Sequence, residues 1–62
     1  MKYVIKNSNG MYVSAPGREH SFCKKLKHCS VFDSRQDANR ECCGNEHTVN
    51  IHDIQDNSYF FS

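Results

Sequence analysis

The residues of this sequence that are best suited to bind a metal are its cysteines and histidines, four of each in a chain of 62 residues. Thiolates and imidazoles are the usual ligands of structural zinc, which is held by four groups in a tetrahedron. The spacing Cys43-x3-His47 is close to that of known zinc ligands. With two further thiols, the candidate metal site is Cys23, Cys29, Cys43 and His47. Zinc would stabilise a chain too short to build a large core.

The alternative for the cysteines is a set of reduced, partly buried thiols. The paired CxxC motif that makes a zinc prediction strong is absent. Cys29 and Cys42 also occupy positions that the apolar pattern assigns to the interior, where a free cysteine behaves as a small hydrophobic residue. The apolar run 3–5 is far too short for a signal peptide or a membrane span, so we expect a cytoplasmic protein with reduced cysteines. We therefore predict no cofactor, with structural zinc as the weaker alternative.

A second group of residues with chemical potential is a local cluster of positive charge beside the aromatic Phe22. Basic side chains next to aromatic rings can bind phosphates and stack on bases. The net charge of the whole chain is only +1, which favours the simpler interpretation of a solvated surface. Nucleic-acid binding is therefore our alternative function, and its candidate residues are Arg18, Lys24, Lys25, Lys27 and His28.

Catalysis is not indicated by any motif in the sequence. There is no glycine-rich phosphate loop and no paired-carboxylate motif. A catalytic site needs a concave pocket supported by surrounding residues, and a chain of this length can hardly enclose one. We therefore expect a protein that is not an enzyme.

The first element that would position these residues is a β-hairpin. The β-branched and aromatic stretches 3–5 and 11–13 flank Asn9-Gly10, a pair that readily adopts the positive φ angles of a tight turn. A loop of two or four residues gives the same alternation of side chains across the two strands. One face of the hairpin would then carry Tyr3, Ile5 and Tyr12, and the other Val4, Met11 and Val13.

The second element is a helix with signals at both ends. Ser34, followed by Asp37, is typical of an N-cap with negative charge in the first turn. Gly44 stands where a left-handed residue commonly ends a helix, so the sequence predicts a helix over 35–43. Ala38 would face the sheet.

Two further segments show apolar periodicity. Val49 and Ile51 alternate with polar residues, which predicts a strand within 47–54. Apolar residues at helical spacing predict a short helix or turn earlier in the chain, through Phe22, Leu26 and Cys29.

Together these elements predict one α+β domain over residues 1–62. It would be a small antiparallel sheet of three to four strands with one helix on one face, in the order β-β-α-β. The expected core is Val4, Val13, Leu26, Phe32, Ala38, Val49 and Ile51, with Ile5 and Tyr12 on the opposite face of the sheet.

The order of motifs over residues 2–45 resembles that of short bacteriophage and prophage accessory proteins. The motifs are Tyr3-Val4-Ile5, a glycine-containing turn, Tyr12-Val13-Ser14, Phe22 with Leu26, and Val31-Phe32-Asp33-Ser34 leading to a helix with Ala38. The resemblance implies a phage origin, action in the host cytoplasm and a role in binding a host protein, and it transfers no individual site residue.

The sequence also has more apolar surface than one small helix can cover. Both hairpin faces carry large apolar residues, and three consecutive aromatic residues close the sequence. Aromatic residues are enriched at the centres of protein interfaces, so a host protein or a second copy of the chain would use this surface. Its candidate residues are Tyr3, Ile5, Tyr12, Tyr59, Phe60 and Phe61. Our leading expectation is a non-enzymatic phage inhibitor of a host protein, acting in host takeover or against a defence system such as CRISPR-Cas.

Overall fold

The computed structural model describes residues 1–55 and 57–62. Its strands are β1 (Tyr3–Lys6), β2 (Tyr12–Val13), β3 (Phe22–Cys23) and β4 (His47–Asn50), and its α-helices are α1 (Arg35–Glu41) and α2 (Ser58–Phe61). Two 3-10 helices span Leu26–His28 and Ile51–Asp53. The strands form one antiparallel sheet in the order β3-β2-β1-β4. The predicted α+β class with a small antiparallel sheet is confirmed.

The loop between β1 and β2 is organised by the side chain of Asn7. Its Oδ1 accepts hydrogen bonds from the backbone N–H groups of Asn9, at 3.0 Å, and Met11, at 2.9 Å. Gly10 has a φ of 84°, which is costly for any residue with a Cβ. The Asn7 N–H in turn donates to the Met11 carbonyl, at 2.8 Å, so a backbone hydrogen bond joins the first and last residues of the loop.

This loop changes the facing of the hairpin side chains. Lys6 pairs directly with Tyr12, which leaves five residues between them rather than two or four. Because side chains alternate along a strand, an odd loop moves Tyr12 to the face of Val4 and away from Ile5. The predicted faces of the hairpin are therefore wrong, and the side-chain hydrogen bonds of Asn7 are the physical reason.

The face that carries Ile5 is covered by α1. The Ser34 hydroxyl accepts the Asp37 N–H at 3.1 Å, so the predicted N-cap is confirmed. Ile5 and Ala38 are both fully buried. Ile5 pairs with Thr48 in β4, and the Thr48 hydroxyl hydrogen-bonds to the helix at Asn39. Small apolar residues thus let the helix lie close to the sheet.

Helix α1 ends two residues before the predicted end. Cys42 is already extended, with φ −71° and ψ 137°. The Glu46 carboxylate accepts the Cys43 N–H at 3.1 Å, which competes with a further helical hydrogen bond. Gly44, with φ 56°, lies in the turn beyond the helix.

The face that carries Val4 is covered by shorter pieces of chain. Val4, Tyr12, Cys29 and Phe60 form its buried cluster, and the Tyr12 and Phe60 ring centroids are 4.5 Å apart. Phe60 is brought there by α2, whose N-cap is the Asn57 side chain accepting the Phe60 N–H at 3.0 Å. The aromatic tail therefore folds back onto the sheet.

The remaining core predictions hold in part. Val4 and Ala38 are fully buried, whereas the other five expected core residues are half-buried: Val13, Leu26, Phe32, Val49 and Ile51. Strand β4 ends at Asn50 because the Asn50 side chain accepts the His52 N–H at 2.9 Å and begins a 3-10 helix.

Candidate anion-binding site

A cavity of about 520 Å³ lies at the edge of the sheet formed by β3. Its walls come from the loop after β2, from β3, from the 3-10 helix Leu26–His28 and from α2. All four basic side chains between residues 18 and 27 line it: Arg18, Lys24, Lys25 and Lys27. We call this feature the basic cavity.

The end of β2 holds the walls of the basic cavity together. The Ser14 N–H donates to the Ser21 carbonyl at 2.9 Å, and the Ala15 N–H donates to the His28 carbonyl at 2.9 Å. The two hydrogen bonds fix segments on either side of the same short strand end. Arg18 then reaches across, because its Nη2 donates to the Lys27 carbonyl at 3.4 Å. This hydrogen bond joins the loop after β2 to the 3-10 helix at the edge of the basic cavity.

The basic cavity concentrates positive charge. It is lined by four of the eight basic residues of the chain but by only one of the seven acidic residues, Glu19. With neutral histidines its formal charge is +3, against +1 for the whole chain, so the rest of the protein carries −2. Within residues 1–55 and 57–62, ion pairs join Lys2 to Asp33 and Arg40 to Asp37, and neither involves a cavity cation.

The charge of the cavity also acts on His28, which lines it. Desolvation, and then the nearby charges of Arg18, Lys27 and Lys25, lower the pKa of His28 below its ordinary value. The site therefore disfavours one more positive charge. A bound anion would reverse this effect, because it favours the protonated imidazole.

Aromatic rings complete the basic cavity. Tyr59 of α2 is 58% exposed, and the Lys25 ammonium lies 4.9 Å from its ring centroid. Half-buried Phe22 also lines the cavity. Cations of the kind that can bind phosphate and an exposed ring that can stack on a base are thus present at one site.

All five residues of the predicted nucleic-acid cluster line this one cavity, and the structure adds contributors that the sequence did not suggest. Tyr59 was missed as a member because it is distant in sequence and reaches the cavity only when α2 folds back. Asn57 ahead of the aromatic residues is an N-cap signal that could have indicated this helix.

The four candidate zinc ligands do not come together. The sulfur atoms of Cys23 and Cys29 are 3.0 Å apart. His47, however, lies in β4 and Cys23 in β3, at opposite edges of the sheet. Three strand spacings of about 4.8 Å separate these edges, far more than two ligands of one zinc ion can span. In the part of the chain that the structure describes, no three His, Cys, Asp or Glu side chains are grouped to hold a metal.

The predicted partner-binding surface is also largely corrected. Ile5 and Phe60 are 0% exposed and Tyr12 is 4% exposed, so these three residues belong to the core. Tyr3 is half-buried, with the Arg35 guanidinium 5.0 Å from its ring centroid.

Two residues of that surface remain accessible, Tyr59 and Phe61, both on α2. The correction follows from the five-residue loop and from the folding back of the tail.

None of the described helices is long and apolar enough to cross a membrane.

Comparisons of this chain with protein-family models, with curated proteins and with solved structures give no match. The chemistry of the basic cavity is therefore the feature from which a function can be inferred.

Proposed function

We propose that this protein binds short segments of single-stranded nucleic acid in the basic cavity. The observation that carries the proposal is the gathering of half of the chain's basic residues, free of ion pairs among the described residues, around one concavity with aromatic walls. Cations would bind the phosphates, and Tyr59 would stack on a base.

The distribution of charge favours a short single strand over a duplex. The basic cavity has a formal net charge of +3, while the remainder of the chain has a formal net charge of −2. A duplex would extend beyond the cavity and meet this negative surface. A single strand exposes its bases for stacking and can place a few phosphates within the cavity.

The test is fluorescence anisotropy with a labelled single-stranded oligonucleotide of about eight nucleotides, titrated at several salt concentrations. Four cavity cations set the limit of the salt dependence, since each phosphate contact with a single strand contributes about −0.7 to the slope of log K against log salt. We expect a slope no steeper than about −3. No binding even at low salt would overturn the proposal.

Matched variants separate the cavity from general electrostatics. Lys24→Gln with Lys27→Gln removes two charges at the cavity, and Lys2→Gln with Arg40→Gln removes two exposed charges elsewhere. The first pair should reduce the magnitude of the salt slope by about 1.4 and weaken binding, while the second leaves both nearly unchanged. Equal effects would mean that the cavity is not the site.

Binding of a host protein, as in a phage inhibitor, is the second candidate. It is favoured by the exposure of Tyr59 and Phe61, two large aromatic side chains on one short helix. Affinity capture from bacterial lysate distinguishes the candidates. Recovery of a stoichiometric protein after nuclease treatment supports the second candidate, and loss of all recovery supports the first.

A further inference from the structure

Two thiols meet at the wall of the basic cavity. Cys23 pairs with Tyr12 in the sheet, and Cys29 forms an isolated bridge with Ser14, two residues further along the same strand direction. Tyr12 and Ser14 point to the same face, so their partners do too. The two sulfur atoms are 3.0 Å apart.

The two thiols differ in access. Cys23 lines the basic cavity and is only half-buried. Cys29 is buried, and its thiol donates to the Lys25 carbonyl at 3.1 Å. Burial raises the pKa of Cys29, and the hydrogen bond and charge of Cys23 raise it further. Cys23 is therefore the thiol that an external reagent would meet first, and Cys29 is the buried thiol next to it.

From this geometry we infer that Cys23 and Cys29 are a redox modification site, which forms a reversible intramolecular disulfide by exchange with a low-molecular-weight disulfide. The Cys23 thiol loses its proton and its sulfur attacks the small disulfide, which forms a mixed disulfide and releases one small thiol that takes up that proton. The Cys29 sulfur then loses its proton and attacks the Cys23 sulfur, and the second small thiol leaves with that proton. Two protein thiols are oxidised and one small disulfide is reduced to two thiols.

The second step joins two sulfur atoms that already lie close together. The sulfur atoms must approach by about 1 Å to reach the length of a disulfide bond. Once Cys23 is in a mixed disulfide its sulfur no longer carries a charge, so burial, the largest cause of the raised pKa of Cys29, is what still opposes its ionisation.

The other two cysteines provide an internal control. Cys42 and Cys43 are neighbours in sequence, yet the Cys42 thiol lies 3.5 Å from the Thr48 hydroxyl and the Cys43 thiol donates to the Glu41 carbonyl at 3.8 Å. Each of these thiols has its own partner. We expect them to remain separate when Cys23 and Cys29 are oxidised.

The inference does not depend on nucleic-acid binding, and its test uses peptide mapping of the full chain. The protein is equilibrated with glutathione disulfide and glutathione, free thiols are blocked with iodoacetamide, and the chain is cut with trypsin. Cleavage after Lys24, Lys25 and Lys27 separates peptide 19–24, which contains Cys23, from peptide 28–35, which contains Cys29. Cys42 and Cys43 remain together in peptide 41–62.

We expect the peptides 19–24 and 28–35 to be recovered as one disulfide-linked species that dithiothreitol separates. The variant Cys42→Ser with Cys43→Ser should give the same species, and Cys29→Ala should give glutathione on Cys23 instead. Stable glutathione adducts on Cys23 of the unsubstituted chain, or linkage of either peptide to 41–62 or to a second copy, would overturn the inference. Because the unsubstituted chain gives a complete map, misfolding of a variant cannot obscure the result.

Discussion

The two faces of the sheet are covered in different ways. On the face of Ile5, one helix with a capped N-terminus places Ala38 against the sheet. On the face of Val4, the cover is a 3-10 helix of three residues and a helix of four, with Phe60 inserted between them and the sheet. The first cover is one regular element, and the second is an assembly of short ones.

We call the face of Ile5 the structural face and the face of Val4 the chemical face. Helices of three or four residues have no stability of their own and persist only through tertiary packing. The 3-10 helix carries Lys27 and α2 carries the exposed ring of Tyr59, while the other cavity cations and the thiol pair lie in the adjoining segment 18–29. Helix α1 carries none of the cavity residues. The groups that we propose to bind or react thus lie on the part of the fold whose local order depends most on its contacts.

The largest expected effect is the loss of the packing that covers the face of Val4. Phe60→Ala removes a fully buried ring that contacts Tyr12, and substitutions of this kind cost about 3–5 kcal/mol. The total stability of a chain this size is about 3–9 kcal/mol, so the variant should lose about a third or more of it, measured as a lower midpoint in urea titrations followed by circular dichroism. Phe61→Ala, at a 45% exposed ring, is the control and should change stability by less than about 1 kcal/mol. Equal effects would contradict the assignment of Phe60 to the core.

The next effect concerns ligand binding on the chemical face. Tyr59→Ala should weaken binding of the single-stranded oligonucleotide by about 1–3 kcal/mol, because a stacked base loses its platform. Phe61→Ala removes an exposed ring of the same helix that does not line the cavity, and should leave binding unchanged. Anisotropy titrations measure both variants, and a larger loss in Phe61→Ala would move the site away from the cavity.

A smaller effect is expected on the structural face. Ser34→Ala removes the N-cap of α1 and should cost about 1 kcal/mol, or about 4–8 °C in Tm. Ser34→Thr keeps the capping oxygen and should retain most of the stability in thermal melts. Oligonucleotide binding should be unchanged in both variants at temperatures well below Tm. Altered binding in a folded Ser34→Ala variant would show that the two faces are coupled.

The smallest effect is a pH dependence at His28, whose pKa is lowered in the folded, unliganded protein. As pH falls below the unfolded value of about 6.5, the unfolded chain takes up this proton more readily, so stability decreases in that range. A bound phosphate favours the protonated imidazole, so oligonucleotide affinity should rise as the pH is lowered from about 7.5 to about 5.5. His28→Gln should flatten this rise, and an unchanged profile in the variant would exclude His28 from the site.

The structural face was the more predictable of the two because its signals are local. Ser34 and Gly44 mark a helix within one stretch of sequence, and the alternation around Val49 marks a strand. The facing of the hairpin was not predictable from such signals, since it depends on one side chain, Asn7, bonding to two backbone groups.

On the chemical face, the sequence predicted the basic residues because they are close together in the chain. It did not predict Tyr59, which approaches them only through the packing of Phe60 on Tyr12. The proximity of Cys23 and Cys29 has the same origin, since Cys23 pairs with Tyr12 and Cys29 pairs separately with Ser14. Both depend on contacts between segments, which composition and spacing do not report.

The odd length of the β1–β2 loop has a consequence for how this sequence can evolve. With five residues between Lys6 and Tyr12, insertion or deletion of one residue would exchange the inward and outward sets of one strand relative to the other. Changes of two residues would preserve the facing of every side chain. Descendants of this chain should therefore vary in loop length by even steps, or compensate an odd step with a bulge elsewhere in β1 or β2.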